Sequence, residues 1–169
     1  MIITPLLIIF MLLVFILLFA FFNTVDKRKW LTGLISLVLT PLIYFYVFYP
    51  FVNIISNYHH QKYFNSEAWI EKPALRYEMI DNTISTDTLI GLSKEKTEAL
   101  LGKSEWLSWD DANKMHDVNR WNYGMGIEPG AFNDQKECVE LQFKNNKLVA
   151  LRPYQEIITF ETKDEENGN

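Results

Sequence analysis

Residues 89–106, LIGLSKEKTEALLGKSEW, decide how the C-terminal part of this chain is read. Gly91 and Gly102 bracket a short charged segment, and the pair can be a ligand-binding loop or the turn signals of a small fold. A phosphate loop needs glycine-dense backbone feeding a helix, with a Lys-Ser/Thr pair at the Walker spacing, and the stretch has neither. Ser93 has the hydroxyl of an N-cap. Lys94–Leu101 then supply about two helical turns, and Gly102 is placed for the left-handed residue that ends a helix. Gly91 permits the sharp turn before the cap. Both glycines therefore read as structural, and the stretch predicts a helix inside a small domain.

Working outward, Tyr77, Ile80 and Ile84 fall at helical spacing with Met79 beside them, predicting an amphipathic helix over about Pro73–Thr86. Ser66 has the character of an N-cap for the segment before it. Residues 103–120 read as a polar connection with a turn of helix after Ser108. Three strands follow: RWNYGMG (120–126), ECVELQFK (137–144) and KLVALRPY (147–154). In the second, Cys138, Glu140 and Gln142 alternate with Val139, Leu141 and Phe143, the period of a half-buried strand. Asn145-Asn146 tolerates positive φ and predicts a tight hairpin.

The N-terminal part obeys different rules. Residues 2–22 and 30–52 carry no charge, and each run is long enough to cross a hydrocarbon core of about 30 Å at about 1.5 Å per residue. The first run lacks the basic start and small-residue cleavage site of a secretory signal. The 169 residues hold 16 Lys+Arg and 21 Asp+Glu, of which three basic and one acidic residue lie in residues 1–52, leaving 13 against 20 beyond. Lys27, Arg28 and Lys29 fill the short connecting loop. Positive residues favour the cytoplasmic side, so the expected location is a cytoplasmic membrane crossed twice, with the C-terminal domain extracytoplasmic. Trp30 and the tyrosines Tyr44, Tyr46, Tyr49 and Tyr58 are placed as interfacial anchors. Pro41 lies mid-span and predicts a kink near Leu37–Pro41.

The expected fold class is α+β: a two-helix transmembrane hairpin followed by an αα-βββ domain, two helices packed on a three-stranded antiparallel sheet. The boundaries are an anchor at 1–52, a short linker or helical extension at 53–65, the extracytoplasmic domain at 66–160 and a disordered acidic tail at 161–169.

Leu89, Gly91-Leu92-Ser93 and Leu100-Leu101-Gly102-Lys103, then Trp121-x-Tyr123, Val139-x-Leu141-x-Phe143 and Lys147-Leu148-Val149, together resemble the BamE/SmpA-type (OmlA) family of small envelope proteins. The likeness covers about residues 75–152. It implies a non-enzymatic, protein-binding αα-βββ domain facing the periplasm or exterior, with other envelope proteins as partners. The family carries a lipid-bearing N-terminal cysteine. Here the sole cysteine is Cys138, and a membrane hairpin stands in place of the lipid.

The candidate sites are few. His59, His60 and His116 lack metal-ligand spacing, and no metal or cofactor is expected. Asp110, Asp111, His116 and Asp117 sit in a charged loop that reads as solvated surface rather than an acid–base set, and no catalytic residue is assigned. A lone cysteine forms no intramolecular disulfide, and Cys138 reads as a buried strand residue. The acidic domain has no basic stripe for nucleic acid. Trp121 reads as core, whereas Trp106 and Trp109 lie in polar context, where an indole can anchor a partner. Trp106 and Trp109 are the candidate partner-binding residues, with Gly91, Ser93, Gly102 and Pro41 structural. The favoured function is a membrane-tethered interaction module of the bacterial cell envelope, in the class of assembly accessory factors. A ligand- or signal-sensing membrane protein, or an enzyme using the same small domain, is the alternative.

Overall fold

The computed structural model describes residues 1–158. Helix α1 (Pro5–Val25) runs antiparallel to a second helix made of α2 (Lys29–Ile43), one π-helical turn (Tyr44–Phe48) and α3 (Tyr49–Ile55). Both are long and apolar enough to cross a membrane. On α2 the small side chains Thr32, Ser36 and Thr40 recur every fourth residue, and all three are buried. Ser36 Oγ donates to the Thr32 carbonyl and Thr40 Oγ1 to the Ser36 carbonyl, each at 2.7 Å. The hydroxyls are thus satisfied within their own helix, and their small volume lets α1 approach closely. Pro41 follows Thr40 inside a helix that continues through it. Three residues later the backbone widens into the π turn, a form that accommodates a local misfit in the hydrogen-bond ladder.

The span 53–65, expected as a linker or a helical extension, continues the hairpin helix to Ile55 and is docked structure beyond it. The Tyr44 hydroxyl is hydrogen-bonded to the Tyr58 hydroxyl (3.3 Å) and His60 Nε2 (2.9 Å). The His60 ring stacks on Tyr49 at 4.0 Å, and Tyr58 meets Phe10 edge-on at 4.9 Å. Backbone bonds from Ile2 N–H to the Gln61 carbonyl and from Lys62 N–H to the Glu78 carbonyl, both 2.7 Å, fix the segment on either side. The docking depends on aromatic contacts across the fold, which a reading of local composition does not see.

Helix α4 (Ser66–Glu71) is an addition to the expected set. Asn65 rather than Ser66 caps it, Oδ1 accepting from Ala68 N–H at 2.7 Å, while Ser66 Oγ donates to the Leu100 carbonyl at 2.6 Å. Helix α5 (Tyr77–Ser85) starts four residues after Pro73, because Pro73, Ala74 and Arg76 form a turn in which Leu75 bridges to the sheet. Tyr77, Met79 and Ile80 are buried on its inner face as the spacing predicts.

Helix α6 (Lys94–Leu101) has the expected cap, Ser93 Oγ accepting from Lys96 N–H at 3.4 Å. Gly102 closes it with φ 77° and ψ −178°. This is not the left-handed helical geometry expected but an extended mirror conformation open essentially to glycine alone. Gly91, at φ 82°, donates its N–H to the Leu148 carbonyl at 2.8 Å. Replacing Gly102 by valine is expected to lower stability by about 1–3 kcal/mol through backbone strain, since the nearest atom to an added Cβ is a side-chain carbon at 4.0 Å. A chemical denaturation midpoint unchanged by the substitution would refute this.

The sheet has four strands rather than three: β1 (Trp106–Asp110), β2 (Met115–Gly126), β3 (Gln135–Lys144) and β4 (Lys147–Ile157), antiparallel and adjacent in sequence order. Strand β1 occupies the segment expected as a polar connection with a helical turn. Its hairpin closes because Asp110 Oδ1 accepts from the N–H groups of Ala112 (2.9 Å) and Asn113 (3.2 Å) and Lys114 takes positive φ. The β3–β4 turn is the one predicted, with Asn145 and Asn146 at φ 51° and 61°. The acidic tail assigned to 161–169 lies outside the described residues.

Helices α4, α5 and α6 share one face of the sheet, where Trp69, Tyr77, Ile80 and Leu101 pack with Val139, Leu141 and Phe143. Below Trp69 lies a buried arginine. Arg76 Nε donates to the Trp69 carbonyl (2.7 Å), and one terminal nitrogen donates to Glu105 Oε1 (2.5 Å) and the Gly124 carbonyl (2.8 Å). Glu105 Oε2 accepts from Gly124 N–H at 2.9 Å. At the end of β2 the turn through Ala74 and Leu75 lies directly on Gly126, which pairs with Leu75 and has φ 96°. At the opposite margin Leu148 exchanges backbone bonds with residues 91 and 92, both 2.8 Å, and Pro153 sits in β4 across from Val139.

Candidate functional site

The helix-free face of the sheet departs from the half-buried expectation at Glu140, which is buried there beside Cys138, whose burial was expected. Alternation along β3 does turn them away from the helices. Side chains from all four strands then cover them, so this face is a second, polar layer. Ser108 from β1, Arg120 and Asn122 from β2, Glu140 from β3, and Arg152 and Tyr154 from β4 line a cavity of about 590 Å³.

Glu140 is its centre. Its Oε2 accepts from Ser108 Oγ (2.5 Å) and from a terminal Arg120 nitrogen (2.6 Å), and Oε1 accepts from Gln142 Nε2 (2.6 Å). Burial by itself would raise the Glu140 pKa, but the hydrogen bonds from Ser108, Gln142 and Arg120 outweigh it and hold the carboxyl below its usual range. Ser108 Oγ accepts in turn from Asn122 Nδ2 at 2.9 Å, and Asn122 Oδ1 accepts from the Tyr154 hydroxyl at 3.0 Å. A continuous hydrogen-bonded chain therefore crosses the whole sheet. Such a network restrains the face, although Arg120 Nε is buried without a partner among the described residues. Arg152 faces Glu140 in the strand register, is exposed, and makes no ion pair among the described residues.

The two tryptophans singled out from the sequence lie on β1, within the strand pairing rather than in an irregular loop. Trp106 is half-buried, with the Lys136 ammonium 5.2 Å from its ring centre. Trp109 is 49% exposed, its ring edge-on to His116 at 5.3 Å. A register shift between Leu107 and Trp109 bends the strand there. Trp121 packs on Phe143 at 4.6 Å against the core. Asp110 serves the turn, and hydrogen bonds from Asn113 and Ala112 lower its pKa.

The three histidines are not brought together. His59 lies beside Asn57 and Glu128, His60 in the tyrosine cluster and His116 beside Trp109. Burial lowers the His60 pKa, which favours the neutral ring. No group of three His, Cys, Asp or Glu residues suited to a metal occurs among the described residues. Burial pushes the Cys138 thiol up to about 11, so it stays protonated and a weak nucleophile.

Ser108, Arg120, Asn122 and Glu140 were not legible as site residues. The signal available was Glu140 inside an apolar strand, since a buried carboxylate needs partners, but naming them requires the register. A second cavity, about 670 Å³ between the hairpin helices, is lined by Leu7, Met11, Phe15, Leu37 and Pro41 among others. No charged side chain lines it. No protein-family model, curated protein or solved structure matches the chain.

Proposed function

We propose that this protein is a membrane-tethered, non-enzymatic interaction module of the bacterial cell envelope, and that partners dock on the open face of the sheet at β1. The supporting observation is the exposed indole of Trp109 on a face that no helix covers. Around it the hydrogen-bonded chain from Ser108 to Tyr154 keeps the surface preorganised, which limits the ordering cost of docking. The two apolar helices serve as the anchor. Lys27 and Arg28 in the loop between them, with Lys29 at the start of α2, support a cytoplasmic loop and an extracytoplasmic domain. The resemblance to BamE/SmpA-type proteins supports a protein partner and an accessory role in envelope assembly. Beyond residue 52, acidic residues outnumber basic ones, which disfavours nucleic acid.

The test is partner capture by crosslinking from intact membranes. Trp109→Ala is expected to weaken capture by about 2 kcal/mol or more, as truncation of an interface anchor does. Trp106→Ala acts in the same direction, and Asp111→Asn, at the solvated turn, changes little. Capture undiminished in both tryptophan variants would sink this assignment. A small-ligand sensor is the second reading, drawn from the cavity at Arg120, Asn122 and Arg152; it would be favoured if Arg152→Ala alone abolished function.

A further inference from the structure

We propose that the β2–β3 loop is a third membrane contact, inserting Phe132 among lipids at the outer surface of the bilayer beside the end of α3. This rests on the reading of residues 1–55 as a membrane-spanning hairpin. Phe132 is 96% exposed, the most exposed large apolar side chain among the described residues. A phenylalanine left wholly in water forfeits roughly 2 kcal/mol of burial, and a lone exposed one is ordinary. Its placement is what gives this one meaning.

The loop carrying it is built and attached. Ala131 N–H donates to the Ile54 carbonyl at 3.0 Å, in the last turn of α3. Asn133 closes the tip, its N–H donating to the Gly130 carbonyl at 3.1 Å and its Nδ2 to the Glu128 carbonyl at 3.0 Å. Asn57 Nδ2 donates to Glu128 Oε2 at 3.0 Å, joining the base of the loop to the chain leaving the helix. Phe132 is therefore held at the level of residues 54–57 rather than swinging free.

That level is where the apolar surface of the hairpin ends. Phe51, Ile54 and Ile55 are 60%, 56% and 68% exposed, so the outward face of α3 is apolar through its last residue. Ile55 stands roughly 9 Å above Tyr49 at helical rise, within reach of the interfacial layer outside the hydrocarbon core. The loop adds an aromatic ring at that layer, where aromatic side chains are favoured. Glu128 and Asp134 flank it, so insertion is driven by apolar burial and not by attraction to anionic lipid. The occupant assigned is the interface of a zwitterionic bilayer.

The full-length chain, with Cys138→Ala to remove the native thiol, would be reconstituted in phosphatidylcholine vesicles. A single cysteine carrying a polarity-sensitive fluorophore is placed at Phe132, at Lys114 in the β1–β2 turn remote from this end, or at Phe51 within the hairpin. Lipid-borne nitroxide quenchers, at the headgroup or high on the acyl chain, report depth. Phe132→Cys is expected to give blue-shifted emission and severalfold stronger quenching than Lys114→Cys. Quenching at position 132 no greater than at 114, with position 51 strongly quenched, overturns the proposal and leaves the spanning hairpin intact. Absence of quenching at 51 overturns the hairpin reading and the proposal with it. Shielding at 132 that disappears on dilution to one chain per vesicle identifies a second copy as the occupant and also overturns it.

Discussion

Gly126→Ala is expected to destabilise the domain by about 3 kcal/mol or more, combining backbone strain of about 1–3 kcal/mol with the displacement of an element packed against the strand. The residue holds φ 96°, where a side chain is strained before any contact is counted. An added Cβ would also stand 2.1 Å from the Ala74 carbonyl oxygen and 2.5 Å from its carbon. Both are backbone atoms, so no side chain can rotate aside. The turn through Ala74 would have to leave the sheet, taking with it the Leu75–Gly126 pairing and the base of Arg76. Gly91→Ala provides the contrast: φ is also positive but nothing lies within 4 Å, so a loss nearer 1 kcal/mol is expected. Urea unfolding of the detergent-solubilised protein, followed by tryptophan fluorescence, separates the two. Equal losses for both variants would show that the close approach at Ala74 is not maintained.

Arg76→Met should cost about 3 kcal/mol, the lower end for removing one partner of a buried ion pair. The substitution keeps much of the side-chain volume but strips the Trp69 carbonyl, the Gly124 carbonyl and Glu105 of their shared donor. Glu105 is 38% exposed and recovers part of its solvation, whereas the Arg76 side chain is only 7% exposed. That asymmetry places the estimate at the lower end. Arg76→Lys should recover only a fraction, because an ammonium on a flexible stem cannot reproduce a planar fork reaching three acceptors. The same unfolding measurement decides it. Full stability of the methionine variant would mean that desolvation cancels everything the guanidinium contributes.

The parts of the structure that were legible are those set by local chemistry. Two uncharged runs predicted the two long apolar helices, Ser93 predicted its own cap, and Asn145-Asn146 predicted the hairpin that joins β3 to β4. Strand β1 was hidden because Trp106–Asp110 is short, is bent by a register shift, and ends in a turn without glycine. Lys114 takes the positive φ that glycine takes elsewhere, and the Asp110 carboxylate accepts the N–H groups of the turn. Gly91 and Gly102 both take positive φ at their turns. Gly126 is the position with a backbone pressed against it, and the hint was a glycine inside a strand pattern, which marks a bulge or a close approach. The polar layer around Glu140 could not be read, since Ser108, Arg120 and Asn122 meet it only through the strand register. The docking of Tyr58 and His60 on Tyr44 and Tyr49 is equally a product of tertiary geometry.

The two outer strands also govern how readily another chain can add to the sheet. A sheet margin with free N–H and C=O groups is a template for another chain, and crowding in a bilayer would make that hazard acute. Strand β4 is blunted by Pro153, which has no N–H to give, and its first turn is already paired through Leu148 with residues 91 and 92. Strand β1 offers only five residues, interrupted by its register shift. Growth by strand addition is thereby discouraged at both margins of the sheet.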